Sequence, residues 1–111
     1  MKTQKTIINI LEESKELIQQ QKYKEAEELL LSNNKKKVEN WEYFWQLGIC
    51  SRLQNKFEEA YQYLKEAQKI NPKSHKIYNE IGLLFKQREL YKRAVQNFKR
   101  AIQLNPDYFT A

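Results

Sequence analysis

The chain has 111 residues, the size of one domain, and its apolar fraction of 41% is enough for a core. Only two glycines and two prolines occur, which disfavours an all-β fold, and a single cysteine excludes an intramolecular disulfide. No apolar run approaches the roughly 20 residues of a membrane span. We therefore expect an all-α, cytoplasmic protein that has no cofactor, no metal site and no contact with a membrane.

Apolar residues recur at helical spacing along most of the chain. The pattern predicts six helices, at about residues 3–20, 23–32, 41–53, 57–70, 75–87 and 91–104. Asn40 and Ser74 are the expected N-caps of the third and fifth helices. Pro72 and Pro106 follow the fourth and sixth helices and prevent their continuation. The short stretches "LQNK" and "QREL" are expected to link the helices into antiparallel hairpins.

The sequence repeats itself with a period of 34 residues. Residues 41–74 align with 75–108 without a gap, and the pairs in register are Gly48/Gly82, Ala60/Ala94, Ala67/Ala101, Asn71/Asn105 and Pro72/Pro106. Residues 7–40 match only in their second half, through Ala26 and Leu30, and Ser14 stands where the glycine would be. We interpret this as three copies of a helical hairpin, of which the first is degenerate, as terminal repeats often are.

The glycines are predicted to mark close helix–helix contacts. A glycine inside a helix costs about 1 kcal/mol relative to alanine. Two such glycines in register indicate that a larger side chain would clash. We expect Gly48 to face Ala60 within one hairpin and Gly82 to face Ala94 within the next.

These features resemble the tetratricopeptide repeat. The resemblance lies in Leu47-Gly48 and Ile81-Gly82, in the paired alanines and in the closing prolines. It implies a right-handed α-solenoid over residues 1–111, with repeats at about 7–40, 41–74 and 75–108, and with 109–111 as the start of a further unit or a tail. It also implies a non-enzymatic scaffold that binds another protein in a concave groove. The second unit departs from the family pattern at Ser51, where the family usually has tyrosine.

The resemblance places the groove on the first helix of each hairpin. The candidate peptide-binding residues are Lys15, Glu42, Trp45, Gln46, Ile49, Arg52, Lys76, Asn79, Leu83 and Lys86, beside Leu11, Glu12, Gln19 and Glu80. Trp45 is either an apolar anchor in the groove or part of the core against the next repeat. Related domains that clamp a C-terminal carboxylate need Arg and Asn where this chain has Glu80 and Gln46. An internal peptide segment or an amphipathic helix is therefore the favoured ligand.

The last predicted helix raises an alternative, because nothing after it is expected to cover its apolar face. Its candidate self-association residues are Tyr91, Val95, Phe98 and Ile102. One explanation is that the chain is a fragment of a longer protein, for example an accessory domain of a larger enzyme. The other is that this face binds a partner, such as a second copy of the chain.

The formal net charge is +6, and residues 75–111 hold seven basic and three acidic groups. Lys35–Lys37 and the basic residues of the last helix are expected to form a solvated surface, or to attract an acidic protein or RNA. Acidic residues are interspersed among the basic ones through much of the chain, so direct nucleic-acid binding is disfavoured. Cys50 is predicted to be a packing thiol and His75 a solvated helix-end residue.

Overall fold

The computed structural model describes residues 6–33 and 38–109, and within these ranges the secondary structure is entirely helical. The elements are α1 (Ile7–Gln19), α2 (Tyr23–Leu31), α3 (Trp41–Leu53), α4 (Phe57–Ile70), α5 (His75–Gln87), α6 (Tyr91–Leu104) and a short 3-10 turn (Pro106–Phe109). The prediction of an all-α fold is confirmed, and α3 to α6 have the predicted bounds. The predicted basic loop at Lys35–Lys37 and the predicted helical residues 3–5 lie outside the described residues.

The two helices of each hairpin are joined by the same tight turn, repeated every 34 residues. One residue in each turn adopts a left-handed backbone, with φ of 63° to 65°, and these residues are Gln21, Asn55 and Glu89. The next residue donates its N–H to a carbonyl five residues earlier at 2.8 Å, in the pairs Lys22–Leu17, Lys56–Ser51 and Leu90–Phe85. This hydrogen bond is the helix-terminating bond of a Schellman motif, and it sets the direction in which the second helix leaves.

Side-chain caps begin two of the three first helices. The Thr6 hydroxyl accepts from the Asn9 N–H at 3.2 Å, and Asn40 Oδ1 accepts from the Glu42 and Tyr43 N–H groups at 2.9 and 3.4 Å. The expectation for Ser74 was wrong in part. Ser74 occupies the N-cap position of α5, but its side chain makes no capping hydrogen bond. The preceding turn is instead held by Asn71 Oδ1, which accepts from the N–H of Lys73 at 3.2 Å.

The prediction of a close helix–helix contact at each glycine is confirmed, but the group that Gly82 approaches is the Phe98 ring and not Ala94. A Cβ on Gly48 would lie 2.7 Å from Leu64 Cγ, and a Cβ on Gly82 would lie 2.6 Å from the Phe98 ring. Ala60 contributes mainly its backbone carbonyl, 3.5 Å from the Cβ position of Gly48. In each hairpin the glycine thus makes room for the large residue that lies one turn after the small alanine.

The hairpins stack in chain order around two buried apolar clusters. The first joins α1, α2 and α3, and the second joins α4 and α5, with Trp41, Phe44 and Trp45 of α3 packed against it. Tyr43 crosses the first junction, since its buried hydroxyl donates to the Leu30 carbonyl at 2.9 Å. Burial, with a smaller contribution from Tyr63, raises the pKa of Tyr43 to about 12. The stacking gives an elongated molecule of 51 × 28 × 25 Å.

None of the helices in the described ranges combines the length and the apolar character that a bilayer crossing requires.

Candidate functional site

The first helices of the three hairpins, α1, α3 and α5, pack side by side, α1 against α3 and α3 against α5. Their candidate residues fall into three groups by exposure. Lys15, Lys76 and Lys86 are exposed, Glu42, Trp45, Arg52, Asn79 and Leu83 are partly buried, and Gln46 and Ile49 are buried. Of the further first-unit residues, Glu12 and Gln19 are exposed, whereas Leu11 belongs to the core. The open surface of this row is therefore narrower than the sequence pattern implies.

Trp45 combines features of both interpretations that the sequence left open. Its indole Nε1 donates to the Lys76 carbonyl at 3.2 Å, and its ring packs against the second core cluster. Lys76 Nζ lies 5.5 Å from the centre of the same ring, and the centre of the Trp41 ring lies 5.9 Å from it, with the two ring planes tilted by 54°. The ring thus joins α3 to the first turn of α5 while part of it stays accessible. A ligand can contact the part of the indole that stays accessible, because Trp45 is only partly buried.

Gln46 and Ile49 are buried within the row. The Gln46 amide nitrogen donates to the Leu11 carbonyl at 3.2 Å, so this side chain ties α3 to α1. Gln46 Oε1 is buried and finds no hydrogen-bond partner in the part of the chain that the structure describes. Ile49 is 9% exposed. These two residues support the surface, and they offer little of their own area to a ligand.

Arg52 is bound within the molecule. Its Nε lies 2.8 Å from Glu80 Oε1, and its second nitrogen lies 3.4 Å from Glu80 Oε2, which gives a two-pronged ion pair between α3 and α5. The remaining guanidinium nitrogen donates to Gln87 Oε1 at 3.3 Å, and Gln87 in turn donates to Asn55 at 3.0 Å. Burial raises the pKa of Glu80, and Arg52 acts in the opposite direction. Sequence reasoning did not foresee this pair, although the two opposite charges lie on predicted neighbouring helices.

The exposed part of the row is mixed in polarity. The ammonium groups of Lys15, Lys76 and Lys86 reach solvent along it, and Asn79 and Leu83 lie between the last two on α5. Residues 76, 79, 83 and 86 follow the spacing that places side chains on one helix face. The surface therefore offers a partly open indole, a partly open leucine, amide groups and cations.

The outer face of α6 carries the second group of candidate residues. Tyr91, Val95 and Ile102 are 58%, 48% and 44% exposed, and Phe98 is partly buried against Gly82. Phe98 is thus first a packing residue of its own hairpin. The other three form an apolar strip beside the basic side chains of α6.

Cys50 and His75, the residues with potential for other chemistry, both lie against neighbouring groups of the fold. Cys50 is buried, and burial, followed by the charge of Glu27, raises the pKa of its thiol to about 12, so the thiol is protonated at neutral pH. His75 lies close to the Asn105 amide, at 3.4 and 3.5 Å from its two ring nitrogens. Within the described ranges no three His, Cys, Asp or Glu side chains come together as a metal site would require.

Comparison with known families identifies the repeated unit. Residues 41–74 and 75–108 each match a sequence profile described as tetratricopeptide repeat. The chain belongs to the tetratricopeptide repeat family. The two matched TPR units begin and end where the internal period places them, and this confirms the resemblance. A search of curated protein sequences found no significant match.

Solved TPR structures share this fold at low sequence identity. The translocator chaperone SycD of Yersinia enterocolitica superposes with a TM-score of 0.83 at 15% identity, over 95% of this chain and 80% of that one. The Arabidopsis OM64 TPR domain gives 0.79 at 22% identity, over 87% and 80% of the two chains. The second TPR domain of Spaghetti (RPAP3), bound to the HSP90 peptide SRMEEVD, gives 0.79 at 18% identity, over 89% and 86%. These similarities show the TPR solenoid fold.

Proposed function

We propose that this TPR chain is a non-enzymatic protein-interaction module that binds a segment of a partner protein along the row formed by α1, α3 and α5. The observation that carries the proposal is the partly open ring of Trp45, with the Lys76 ammonium 5.5 Å from its centre. An aromatic anchor inside a polar rim is the usual composition of the centre of a protein interface. Leu83 on α5 supplies a second apolar contact, and Asn79 and Lys86 supply polar ones.

The ligand we propose is an internal peptide segment or an amphipathic helix. A C-terminal carboxylate would need cationic and amide groups pointing into the groove. At the two decisive positions this chain has Glu80, paired with Arg52, and Gln46, bonded to the Leu11 carbonyl. Both side chains are committed to contacts between repeats. An apolar segment with polar flanks fits the remaining surface better.

The test compares two variants of equal charge. Asn79→Glu with Leu83→Glu changes the proposed surface, and Gln96→Glu with Gln103→Glu adds the same two negative charges at exposed positions of α6. The wild-type chain would be used to capture proteins from native lysate in high salt after nuclease treatment. Overlapping peptides of each captured protein would then be titrated against the purified chain. We expect one peptide whose dissociation constant rises about tenfold or more, about 1.4 kcal/mol, in the first variant only.

Circular dichroism establishes that both variants remain folded before any comparison. Equal binding by wild type and the groove variant would place the site on another face and contradict the proposal. Loss in both variants to the same extent would indicate a response to charge in general, which would also contradict it.

A second candidate function is self-association through the α6 face. α6 carries four basic residues and no acidic one beside its exposed apolar strip, whereas α1 carries three glutamates and one lysine. A head-to-tail contact of α6 with α1 of a second copy would bury the strip and pair opposite charges.

Sedimentation velocity over a range of concentrations tests the second candidate. We expect a dimer or longer species whose midpoint concentration rises about tenfold in Val95→Glu, because a buried carboxylate would oppose the contact. Val95 is 48% exposed, so the substitution spares the hairpin core, which Phe98→Glu would disturb. A monomer at every concentration would exclude this candidate.

A further inference from the structure

A second concave feature lies between α4 and α6, away from the surface proposed above. It is a crevice of about 390 Å³, within the range of natural ligand pockets and near its lower end. Its lining residues come from the first half of α4, the end of α5, the turn after it and the start of α6: Phe57, Glu58, Tyr61, Gln62, Leu84, Phe85, Arg88, Leu90 and Arg93. This "α4–α6 crevice" is large enough for one or two side chains of a ligand.

The same position one repeat earlier is built differently, although the backbone repeats. There the residues that correspond to Tyr61 and Leu90 are Glu27 and Lys56, whose Oε1 and Nζ lie 3.1 Å apart. This ion pair spans the junction between the first two hairpins. In the α4–α6 crevice both charges are replaced by large apolar side chains that remain 40% and 45% exposed. An exposed apolar pair at a position where the neighbouring repeat has an ion pair is more typical of a binding surface than of a stacking contact.

Two arginines stand over the aromatic floor of the crevice. The guanidinium carbon of Arg88 lies 5.3 Å from the centre of the Phe57 ring, and that of Arg93 lies 5.7 Å from the Phe85 ring. The Phe85 and Tyr61 rings are themselves 5.7 Å apart. Neither arginine forms an ion pair with the described residues. A guanidinium that stacks on a ring keeps its N–H groups directed outward, where they can bind a carboxylate in a two-pronged manner.

The charge of the crevice also differs from that of its counterpart. The positions that correspond to Arg88 and Arg93 are Gln54 and Glu59. Among the residues that line the crevice, Arg88 and Arg93 are basic and only Glu58 is acidic. The site therefore combines an apolar floor with an excess of positive charge.

We propose that the α4–α6 crevice binds an acidic segment of a partner protein. One large apolar side chain of that segment, aromatic or aliphatic, enters between Tyr61 and Leu90. Carboxylates on either side of it pair with Arg88 and Arg93. Charge complementarity selects this occupant, because a basic or neutral segment would leave both guanidinium groups without a partner. The site is separate from the α1–α3–α5 surface, and the two proposals can fail independently.

The direct test uses synthetic probes. An end-blocked, fluorescein-labelled nonapeptide with a central phenylalanine between glutamates would be titrated against the whole chain at low ionic strength, with anisotropy as the readout. We expect saturable binding that weakens about tenfold or more when the phenylalanine is replaced by alanine or the glutamates by lysines. Absence of saturable binding by the acidic aromatic probe would overturn the proposal.

The decisive variant copies the earlier repeat. Tyr61→Glu with Leu90→Lys introduces the pair that already bridges the first two hairpins, so the substitution suits the fold while it removes the apolar entrance. We expect it to weaken the probe about tenfold or more, and Arg88→Gln with Arg93→Gln to do the same. Lys24→Gln with Lys73→Gln removes two exposed charges outside all of the proposed surfaces and should change the dissociation constant by no more than about twofold.

The remaining outcomes each contradict the proposal. Thermal melting would reveal whether the Tyr61→Glu, Leu90→Lys variant folds. Even if it does not, unchanged probe binding by Arg88→Gln with Arg93→Gln would contradict the proposal. Loss of the probe in Asn79→Glu with Leu83→Glu, but not in the crevice variants, would assign the probe to the other surface. A change in self-association in place of peptide affinity would assign the crevice to a second copy of the chain.

Discussion

Replacing Arg52 with leucine should lower the free energy of unfolding by about 3 to 5 kcal/mol, because the change leaves Glu80 buried without its cation. The two side chains are only 13% and 9% exposed in the pair, so water cannot substitute for the guanidinium. Urea denaturation followed by circular dichroism measures this loss. Binding assays on the same variant would be uninformative, because Arg52 supports the stacking of α3 on α5.

The pH dependence of that loss provides a control with a defined sign. Burial already raises the pKa of Glu80, and removal of Arg52 raises it further. An acid with a raised folded-state pKa weakens the fold as the pH rises above its unfolded-state pKa, about 4.3 for glutamate. The loss in Arg52→Leu should therefore shrink as the pH falls below about 4.3, where the carboxyl becomes protonated in the unfolded state as well. The double variant Arg52→Leu with Glu80→Leu should recover most of the stability, and a double variant as unstable as the single one would contradict this account.

Replacing Gly48 with valine should lower the free energy of unfolding by about 3 kcal/mol, although valine favours a helix more than glycine does. The new Cβ would lie 2.7 Å from Leu64 Cγ, and Leu64 is fully buried, so it has little room to move. The hairpin must open or Leu64 must leave its rotamer. Denaturant unfolding measures the effect.

Gly82→Val is the matched comparison within the same chain. Its Cβ would meet the Phe98 ring at 2.6 Å, but Phe98 lies on α6 at the edge of the described solenoid and is partly exposed. The ring can turn outward, so the loss should be smaller than at Gly48. A second check adds Leu64→Ala to Gly48→Val, which vacates the space and should make the combined loss smaller than the sum of the two. Equal losses at the two glycines would argue against steric contact as their common role.

Much of the fold was predictable because short-range signals coincided with the 34-residue period. Apolar spacing located α3 to α6, the closing prolines ended the second helices, and Asn40 acted as the expected cap. Ser74 shows the limit of such signals. Its residue type suits an N-cap, but its side chain makes no capping bond, and the Asn71 turn next to it stabilises the segment instead.

The surface was less predictable than the fold. Helix periodicity gives the direction in which a side chain points, but it does not tell how closely the neighbouring helix packs over that side chain. Gln46 and Ile49 have the spacing of groove residues, yet α1 covers Gln46 so closely that its amide reaches the Leu11 carbonyl. Arg52 was taken as a ligand contact because its partner lies 28 residues away in sequence. The α4–α6 crevice was missed because its apolar residues, such as Phe57, Leu84 and Phe85, have the spacing of ordinary core residues, and its arginines have that of a solvated surface. Only the comparison of Tyr61 and Leu90 with Glu27 and Lys56 sets it apart.

The stacking order has a consequence for how the molecule opens. The substantial contacts between helices join each hairpin to itself and to its immediate neighbours, so the chain resembles a row of three coupled units. The middle unit, α3 with α4, is held on both sides, by Gln46 and Tyr43 towards the first unit and by Arg52 and Trp45 towards the third. In such a row, opening begins at an outer unit, and the middle unit exchanges its amide hydrogens last. A ligand that bridges α3 and α5 would couple the middle and third units, which otherwise open separately. The amide hydrogens of the third unit would then exchange as slowly as those of the middle unit.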